Sequence, residues 1–183
     1  MSDDELFATL EAVLFPLGFT GEVGEDFAAP PLDVLRYYRR PVRLHWLPLI
    51  GRAQAVVAVA RQPVDLAGTE AGARQLLDRL GAGVSARYPP GWGLGFGSIG
   101  LTAVILTPEP IKLEDEAALG AALKATSLRS RVVPLAAVRL NLGQEAMSFQ
   151  LAGGPAGLFP EPVALVDALT AKFRRFVPAF EWD

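Results

Sequence analysis

Two segments of this 183-residue chain are apolar at nearly every position, and they constrain the fold more than any other feature. Residues 54–61 read Gln-Ala-Val-Val-Ala-Val-Ala-Arg, and residues 101–107 read Leu-Thr-Ala-Val-Ile-Leu-Thr. A strand with one face in water alternates apolar and polar side chains, whereas a strand covered on both faces is apolar throughout. Both segments are therefore predicted to be adjacent central strands of a sheet that is covered above and below.

Helices are predicted between these strands and at both ends of the chain. Residues 69–87 carry a stripe of aliphatic side chains at helical spacing, namely Leu76, Leu77, Leu80 and Val84. Residues 113–125 form a second helix that begins with acids, which suit the positive end of the helix dipole. The first helix is capped by Ser2 and Glu5, which have the spacing of a capping box. The last helix begins at Pro162, and Lys172, Arg174 and Arg175 are predicted to complement its C-terminal dipole.

The remaining strands complete a mixed sheet. Residues 18–33 are rich in Gly, Pro and acids and are predicted to be a loop, and residues 34–50 are predicted to be a half-exposed strand. Residues 131–140 and 145–151 are two further strands joined by a short turn. The order is helix, strand, strand, helix, strand, helix, strand, strand, helix. This order predicts a single α/β domain over residues 1–183, with helices on both faces of the sheet.

Over roughly residues 3–107, the element order resembles the core of the restriction-endonuclease-like (PD-(D/E)xK) nucleases. Those nucleases carry an acid-x-lysine pair on a core strand, where it holds the metal. The equivalent positions in this chain, within residues 57–61, are Ala58 and Ala60. The resemblance therefore implies a degenerate nuclease-like core without its metal ligands.

The composition excludes several kinds of chemistry. The chain has no cysteine and a single histidine, so a thiol nucleophile and a Cys-based or His-rich zinc site are impossible. That histidine, His45, lies in an apolar run and is predicted to be structural. We expect neither a cofactor nor a bound metal.

Charge and hydropathy give a prediction of the cellular compartment. The net charge of −3 gives no general attraction to nucleic acid or to an anionic membrane. No apolar run reaches the roughly 20 residues that a membrane-spanning helix needs. The N-terminal residues are acidic where a secretory signal is basic. Together these features predict a cytoplasmic protein.

A glycine-rich segment looks most like a functional motif. Residues 95–100 match G-x-G-x-x-G, but a strand is predicted to follow them, whereas a dinucleotide-binding loop is followed by a helix. Glycines at 91, 93, 95 and 97 alternate with large side chains that include Trp92 and Phe96. In an extended chain these side chains project to one side. We therefore expect Trp92 and Phe96 to form a contact surface for a protein partner or for a second copy of the chain.

Two further groups of residues leave other functions open. A basic aromatic stretch could bind nucleic acid through guanidinium–phosphate contacts and base stacking, and consists of Arg36, Tyr37, Tyr38, Arg39, Arg40 and Arg43. Its structural interpretation is a solvated edge strand. Polar residues also follow the two buried strands where open α/β sheets bind ligands, and are Arg61, Gln62, Asp65, Thr107 and Glu109.

Three hypotheses follow from these features. The favoured one is a non-catalytic interaction or structural domain that associates with itself. The second is a nucleic-acid-binding domain on a degenerate nuclease-like core. The third is a small hydrolase or transferase that uses Asp65 and Glu109.

Overall fold

The computed structural model describes residues 1–24, 32–43, 52–63, 69–88, 99–125, 131–152 and 159–175. The helices and strands in chain order are α1 (Asp3–Leu14), β1 (Thr20–Val23), β2 (Val34–Arg43), β3 (Arg52–Arg61), α2 (Glu70–Arg87), β4 (Ile99–Leu106), α3 (Leu113–Lys124), β5 (Val132–Asn141), β6 (Ala146–Leu151), α4 (Glu161–Thr170) and β7 (Arg174–Arg175). None of the helices in these ranges is both long and apolar enough to cross a membrane.

The strands form one mixed sheet in which the spatial order follows the order along the chain. β1 and β3 each run antiparallel to β2, which lies between them, and β3, β4 and β5 are parallel. β6 turns back antiparallel to β5, and the two-residue β7 lies parallel to β6. β3 pairs with β4 from Gln54 opposite Ile99 to Arg61 opposite Leu106. The prediction that residues 54–61 and 101–107 are adjacent, central strands is therefore confirmed.

Two helical layers explain why these strands are apolar on both faces. α2 and α3 cover one face of the sheet, and α1 and α4 cover the other. Along β3, Val56, Ala58 and Ala60 belong to the core under α2 and α3. The alternating residues Val57 and Val59 belong to the core under α1 and α4. The predicted stripe of α2 and the capping box of α1 are also present. The predicted α/β class, with helices on both faces, is confirmed.

The predicted loop over residues 18–33 contains a strand. β1 pairs with β2, with Thr20 opposite Arg39 and Val23 opposite Arg36. Its sequence, Thr-Gly-Glu-Val, has no alternating apolar pattern, so its conformation depends on pairing with a distant strand. The same pairing corrects the interpretation of β2 as an edge strand, because β2 has a neighbour on each side.

The end of the last helix also differs from the prediction. α4 begins at Glu161 and ends at Thr170, so Arg174 and Arg175 form β7 and do not complement its dipole. Phe173 is buried in the core under α1 and α4, and this burial brings the following residues back to the sheet. Lys172 instead donates from Nζ to Thr9 Oγ1 of α1 at 2.8 Å.

Two glycines are expected to respond oppositely to substitution by alanine. A methyl group on Gly100, the last glycine of the G-x-G-x-x-G match, would lie 2.6 Å from Leu135 Cδ1 and 3.1 Å from the Phe159 ring. Gly100→Ala is expected to lower the free energy of unfolding by about 1–3 kcal/mol, because it overfills the core. A methyl group on Gly81 in α2 would contact Val132 at an ordinary 3.8 Å. Gly81→Ala is expected to stabilise the protein by about 0.5–1 kcal/mol, because glycine is unfavourable inside a helix.

Urea unfolding of the two variants beside the wild type measures both effects. Equal stability of Gly100→Ala and the wild type would contradict the packing explanation for this glycine.

Candidate functional site

The tyrosines of the basic aromatic stretch are in the core. Tyr37 and Tyr38 are both 0% exposed and point to opposite faces of the sheet. The Tyr37 ring meets the Tyr88 ring edge-on at 6.1 Å, and the Tyr38 ring meets the Phe15 ring at 6.4 Å. Neither tyrosine therefore offers a free ring face on which a nucleobase could stack.

The arginines of this stretch are paired with glutamates from three other elements. Arg36 pairs with Glu11 of α1, Arg39 Nε lies 2.6 Å from Glu22 Oε1 of β1, and Arg40 Nη2 lies 3.1 Å from Glu161 Oε2 of α4. The backbone of Arg43 lies opposite that of Arg52 in β3. The paired arginines, which were candidates for binding phosphate, therefore tie β2 to the layer of α1 and α4 and to β1.

Two tyrosine hydroxyls complete this set of contacts. The Tyr38 hydroxyl donates to Glu11 at 3.4 Å, and the Tyr88 hydroxyl donates to Glu22 at 3.2 Å. Burial, together with the charge of the neighbouring carboxylate, raises the pKa of each tyrosine to about 12. Both hydroxyls consequently stay protonated at neutral pH and act as hydrogen-bond donors.

The carboxyl ends of the parallel strands bring three polar residues into one row. The register of the strands places Gln62, Thr107 and Asn141 side by side. Gln62 directly follows β3, Thr107 directly follows β4, and Asn141 is the last residue of β5. The Gln62 amide donates to the Leu106 carbonyl and the Thr107 amide to the Leu140 carbonyl, each at 2.8 Å. Asn141 Nδ2 donates to the Glu109 carbonyl at 2.8 Å. These contacts continue the sheet past β3 and β4 and link the end of β5 to the backbone of Glu109.

Arg61, a charged residue at this edge, forms ion pairs with two aspartates. Its Nη2 lies 2.6 Å from Asp3 Oδ2, and its Nη1 lies 3.0 Å from Asp33 Oδ2. The Glu109 side chain is exposed, and Asp65 lies outside the described residues. A switch-point crevice requires a reversal of strand order, and the order of this sheet does not reverse. The pairing of Asp65 with Glu109 that the hydrolase hypothesis uses therefore stays a prediction.

The positions implied by the nuclease resemblance are filled by small apolar side chains. Ala58 and Ala60 are fully buried in the core under α2 and α3. Among the residues whose placement is described, no group of three or more His, Cys, Asp or Glu is suited to hold a metal ion.

Sequence reasoning missed a buried ion pair beneath α3. Arg139 of β5 has a side chain that is only 3% exposed, and its Nη1 lies 3.5 Å from Asp115 Oδ1. Burial lowers the pKa of Arg139, and the Asp115 carboxylate opposes that effect. The sequence feature that indicates this ion pair is a single charged residue inside an apolar run, Ala-Val-Arg-Leu. Asp115 also accepts from the Lys112 amide, so the pair joins the first turn of α3 to the sheet.

A cleft lies between α2 and α3 at the amino end of β5, with a volume of about 400 Å³. It is lined mainly by small and aliphatic residues with a few charged ones, namely Arg74, Leu77, Asp78, Gly81, Ala82, Ser85, Ala122, Ala125, Arg131, Val132 and Pro134. Pockets that bind small ligands have volumes of about 300–1,000 Å³. The volume of this cleft lies within that range.

Arg131 organises one end of the cleft. Its Nη1 donates to the carbonyl and to the hydroxyl of Ser85 at 3.3 and 3.2 Å, and its Nη2 donates to the Tyr88 carbonyl. A cation in this position stabilises the carbonyl groups at the carboxyl end of α2. Its own carbonyl accepts from the Ile99 amide at 2.9 Å. One residue therefore bonds to both Tyr88 and Ile99, which flank residues 89–98.

Several residues singled out from the sequence lie outside the described residues. They are His45, Asp65, Trp92 and Phe96. Arg131, which lines the cleft, bonds to Tyr88 and to Ile99, the described residues on either side of residues 89–98. No local sequence pattern marks Arg131, because its partners are more than 30 positions away along the chain.

Comparison of the chain with models of known protein families, with curated proteins and with solved structures gives no match.

Proposed function

We propose that this chain is a non-catalytic cytoplasmic interaction domain that associates with a second copy of itself. The contact is made by the aromatic glycine segment, residues 91–97, with Trp92 and Phe96 as its large apolar side chains. The observation that carries the proposal is the double contact of Arg131 with Tyr88 and Ile99. Holding both ends of a segment at one point reduces the conformational entropy that it loses on binding.

The intramolecular contacts of the polar residues support a non-catalytic role. The arginines of β2 pair with glutamates, Arg61 pairs with two aspartates, and Asn141 bonds across the carboxyl edge of the strands. Each of these side chains joins two parts of the fold. Using them on a substrate would require breaking contacts that hold the layers together.

The double variant Trp92→Ser/Phe96→Ser is expected to weaken self-association without changing the melting temperature. Burying each side chain in an interface contributes roughly 1.5–3 kcal/mol. Losing both should raise the dimer Kd by about 100-fold or more, since about 1.4 kcal/mol corresponds to a factor of ten. Sedimentation equilibrium measures association, and differential scanning calorimetry measures melting.

The conservative double variant Trp92→Phe/Phe96→Leu is the control, because it keeps apolar side chains and should associate much more strongly than the serine variant. A lower melting temperature with unchanged association would show that both rings belong to the core of their own chain. Stabilisation of the wild type by a nucleotide would favour a phosphate-binding role for the glycines instead.

A further inference from the structure

We propose that Arg87, the last residue of α2, protects the edge of the sheet at β1 from pairing with β1 of a second copy of this chain. This role is independent of the proposed contact through residues 91–97, because it concerns a different surface. Edge strands of soluble proteins need such protection, since their outward backbone groups can pair with another strand.

The register of β1 shows which of its backbone groups face outward. β1 lies at one end of the sheet, with β2 as its neighbour among the described strands. Gly24 N donates to Leu35 O of β2 at 2.9 Å. In an antiparallel pair, residues that bond to the partner strand alternate with residues that do not. The N–H and C=O groups of Gly21 and Val23 therefore point away from β2.

The side chains of β1 do little to discourage an added strand. The strand and the residue after it read Thr-Gly-Glu-Val-Gly, without the proline or lysine that often protects an edge. Gly21 has no side chain, and Val23 is apolar and 77% exposed. The Glu22 carboxylate is paired within the chain with Arg39 and Arg87. A second strand would thus meet little opposition from β1 itself.

Arg87 supplies a charged group at this edge. Its Nη2 donates to the outward Val23 carbonyl at 3.3 Å, and its Nε donates to Glu22 Oε2 at 3.3 Å. The same guanidinium lies over the Tyr37 ring, 5.1 Å from the ring centroid. A guanidinium is planar and has five N–H donors in a fixed arrangement, so one side chain can make all of these contacts together.

These contacts oppose strand addition in two ways. An added strand would lie about 4.8 Å from β1 and would need the Val23 carbonyl as an acceptor, which Arg87 already uses. The strand would also remove water from the guanidinium, and burying a charge is costly. α2 is fixed to the sheet through the buried side chains of Leu80 and Val84, so Arg87 is held in place at this edge.

The test removes the donors of Arg87. Arg87→Met keeps much of the alkyl packing and is expected to lower the Kd for self-association by about tenfold or more, because β1 of a second copy can then pair with the freed edge. Arg87→Lys is the milder variant, since its single ammonium group keeps a charge beside Glu22 but lacks the second arm that reaches Val23. It should also associate more strongly than the wild type. Sedimentation equilibrium measures association, and circular dichroism checks that each variant is folded.

Val23→Pro is the matched control. The Val23 N–H points away from β2, so proline at this position removes no hydrogen bond between β1 and β2, and edge strands accept proline in this orientation. Proline should nevertheless prevent another strand from pairing. The double variant Arg87→Met/Val23→Pro is therefore expected to associate like the wild type. In Arg87→Met alone, the Gly21 and Val23 amides should become protected from hydrogen exchange as the protein concentration rises.

Three outcomes would overturn the protective role. In the first, both arginine variants associate like the wild type, and if Arg87→Met does not fold, Arg87→Lys alone decides this point. In the second, Arg87→Met associates equally with and without Val23→Pro. In the third, Arg87→Met strengthens association only when Trp92 and Phe96 are intact, which would assign the effect to residues 91–97. Association of Arg87→Met that persists in the Trp92→Ser/Phe96→Ser background supports the role of Arg87, whether or not the proposed function holds.

Discussion

Replacing Tyr38 with alanine is expected to lower the free energy of unfolding by about 3–5 kcal/mol, the usual loss when a large aromatic side chain is removed from a core. The ring is fully buried under α1 and α4 and contacts Phe15. Tyr38→Phe is the matched control, since it removes only the 3.4 Å hydrogen bond to Glu11. Its expected cost is about 1 kcal/mol or less, because the hydrogen bond is long. Urea unfolding followed by circular dichroism measures both losses.

The same pair of variants tests the nucleic-acid hypothesis. If Tyr38 stacked on bases, Tyr38→Ala would weaken binding of a single-stranded oligonucleotide and leave stability nearly unchanged. The buried position predicts the reverse, a large loss of stability. Unchanged unfolding together with lost oligonucleotide binding would overturn the structural role that we assign to β2.

Replacing Arg40 with methionine is expected to destabilise the protein by about 3 kcal/mol at neutral pH, the lower end of the range for breaking a buried ion pair. Glu161 is only 1% exposed, and its Oε1 has no hydrogen-bond partner among the described residues. Arg40 retains 22% exposure, which places the expected loss at the lower end. Methionine keeps the alkyl packing of the arginine, so the variant mainly removes the charge that faces Glu161.

This loss should depend on pH. Burial raises the pKa of Glu161 above its ordinary value, and the Arg40 guanidinium limits the rise. Because the folded-state pKa is the higher one, the stabilisation linked to the protonated carboxyl is present at low pH and is lost as the pH rises through that pKa. Without Arg40 the pKa rises further. The difference in stability between Arg40→Met and the wild type should therefore be largest above that pKa and should shrink in acid.

The double variant Arg40→Met/Glu161→Gln provides the control, because it removes the buried charge together with its partner. It should be more stable than Arg40→Met at neutral pH and should lose the pH dependence that Glu161 contributes. Chemical unfolding at several pH values between acid and neutral gives the comparison. An Arg40→Met penalty that is the same at every pH would rule out Glu161 as its source.

Much of the fold followed from local patterns. The apolar runs in β3 and β4, the aliphatic stripe of α2 and the capping box of α1 were all predicted and are present. Such patterns are readable because side-chain direction repeats with a fixed period in each kind of element. The strand that follows the G-x-G-x-x-G match was also predictable, and the buried position of Gly100 provides a packing reason for its last glycine.

Less of the candidate site could be predicted from the sequence. The sequence indicated the aromatic glycine segment as a contact surface, but it did not indicate Arg131 or the cleft. The cleft is formed by two helices from different parts of the chain, and Arg131 bonds to Ser85 at a separation of 46 positions. The arginines of β2 were conspicuous in the sequence, but their partners could not be predicted. No local sequence pattern indicates that Arg40 pairs with a glutamate 121 positions away.

The sequence by itself therefore determined the class of this protein: an α/β chain with buried strands and no cysteine. Periodicity and composition are properties of neighbouring residues, and they are sufficient for that conclusion. Only the tertiary structure decided that β1 exists, that β2 is an interior strand and that Arg131 bonds to both Tyr88 and Ile99. Each of these depends on hydrogen bonds or ion pairs between distant residues, and such contacts form only when packing of the helices on the sheet brings the partners together.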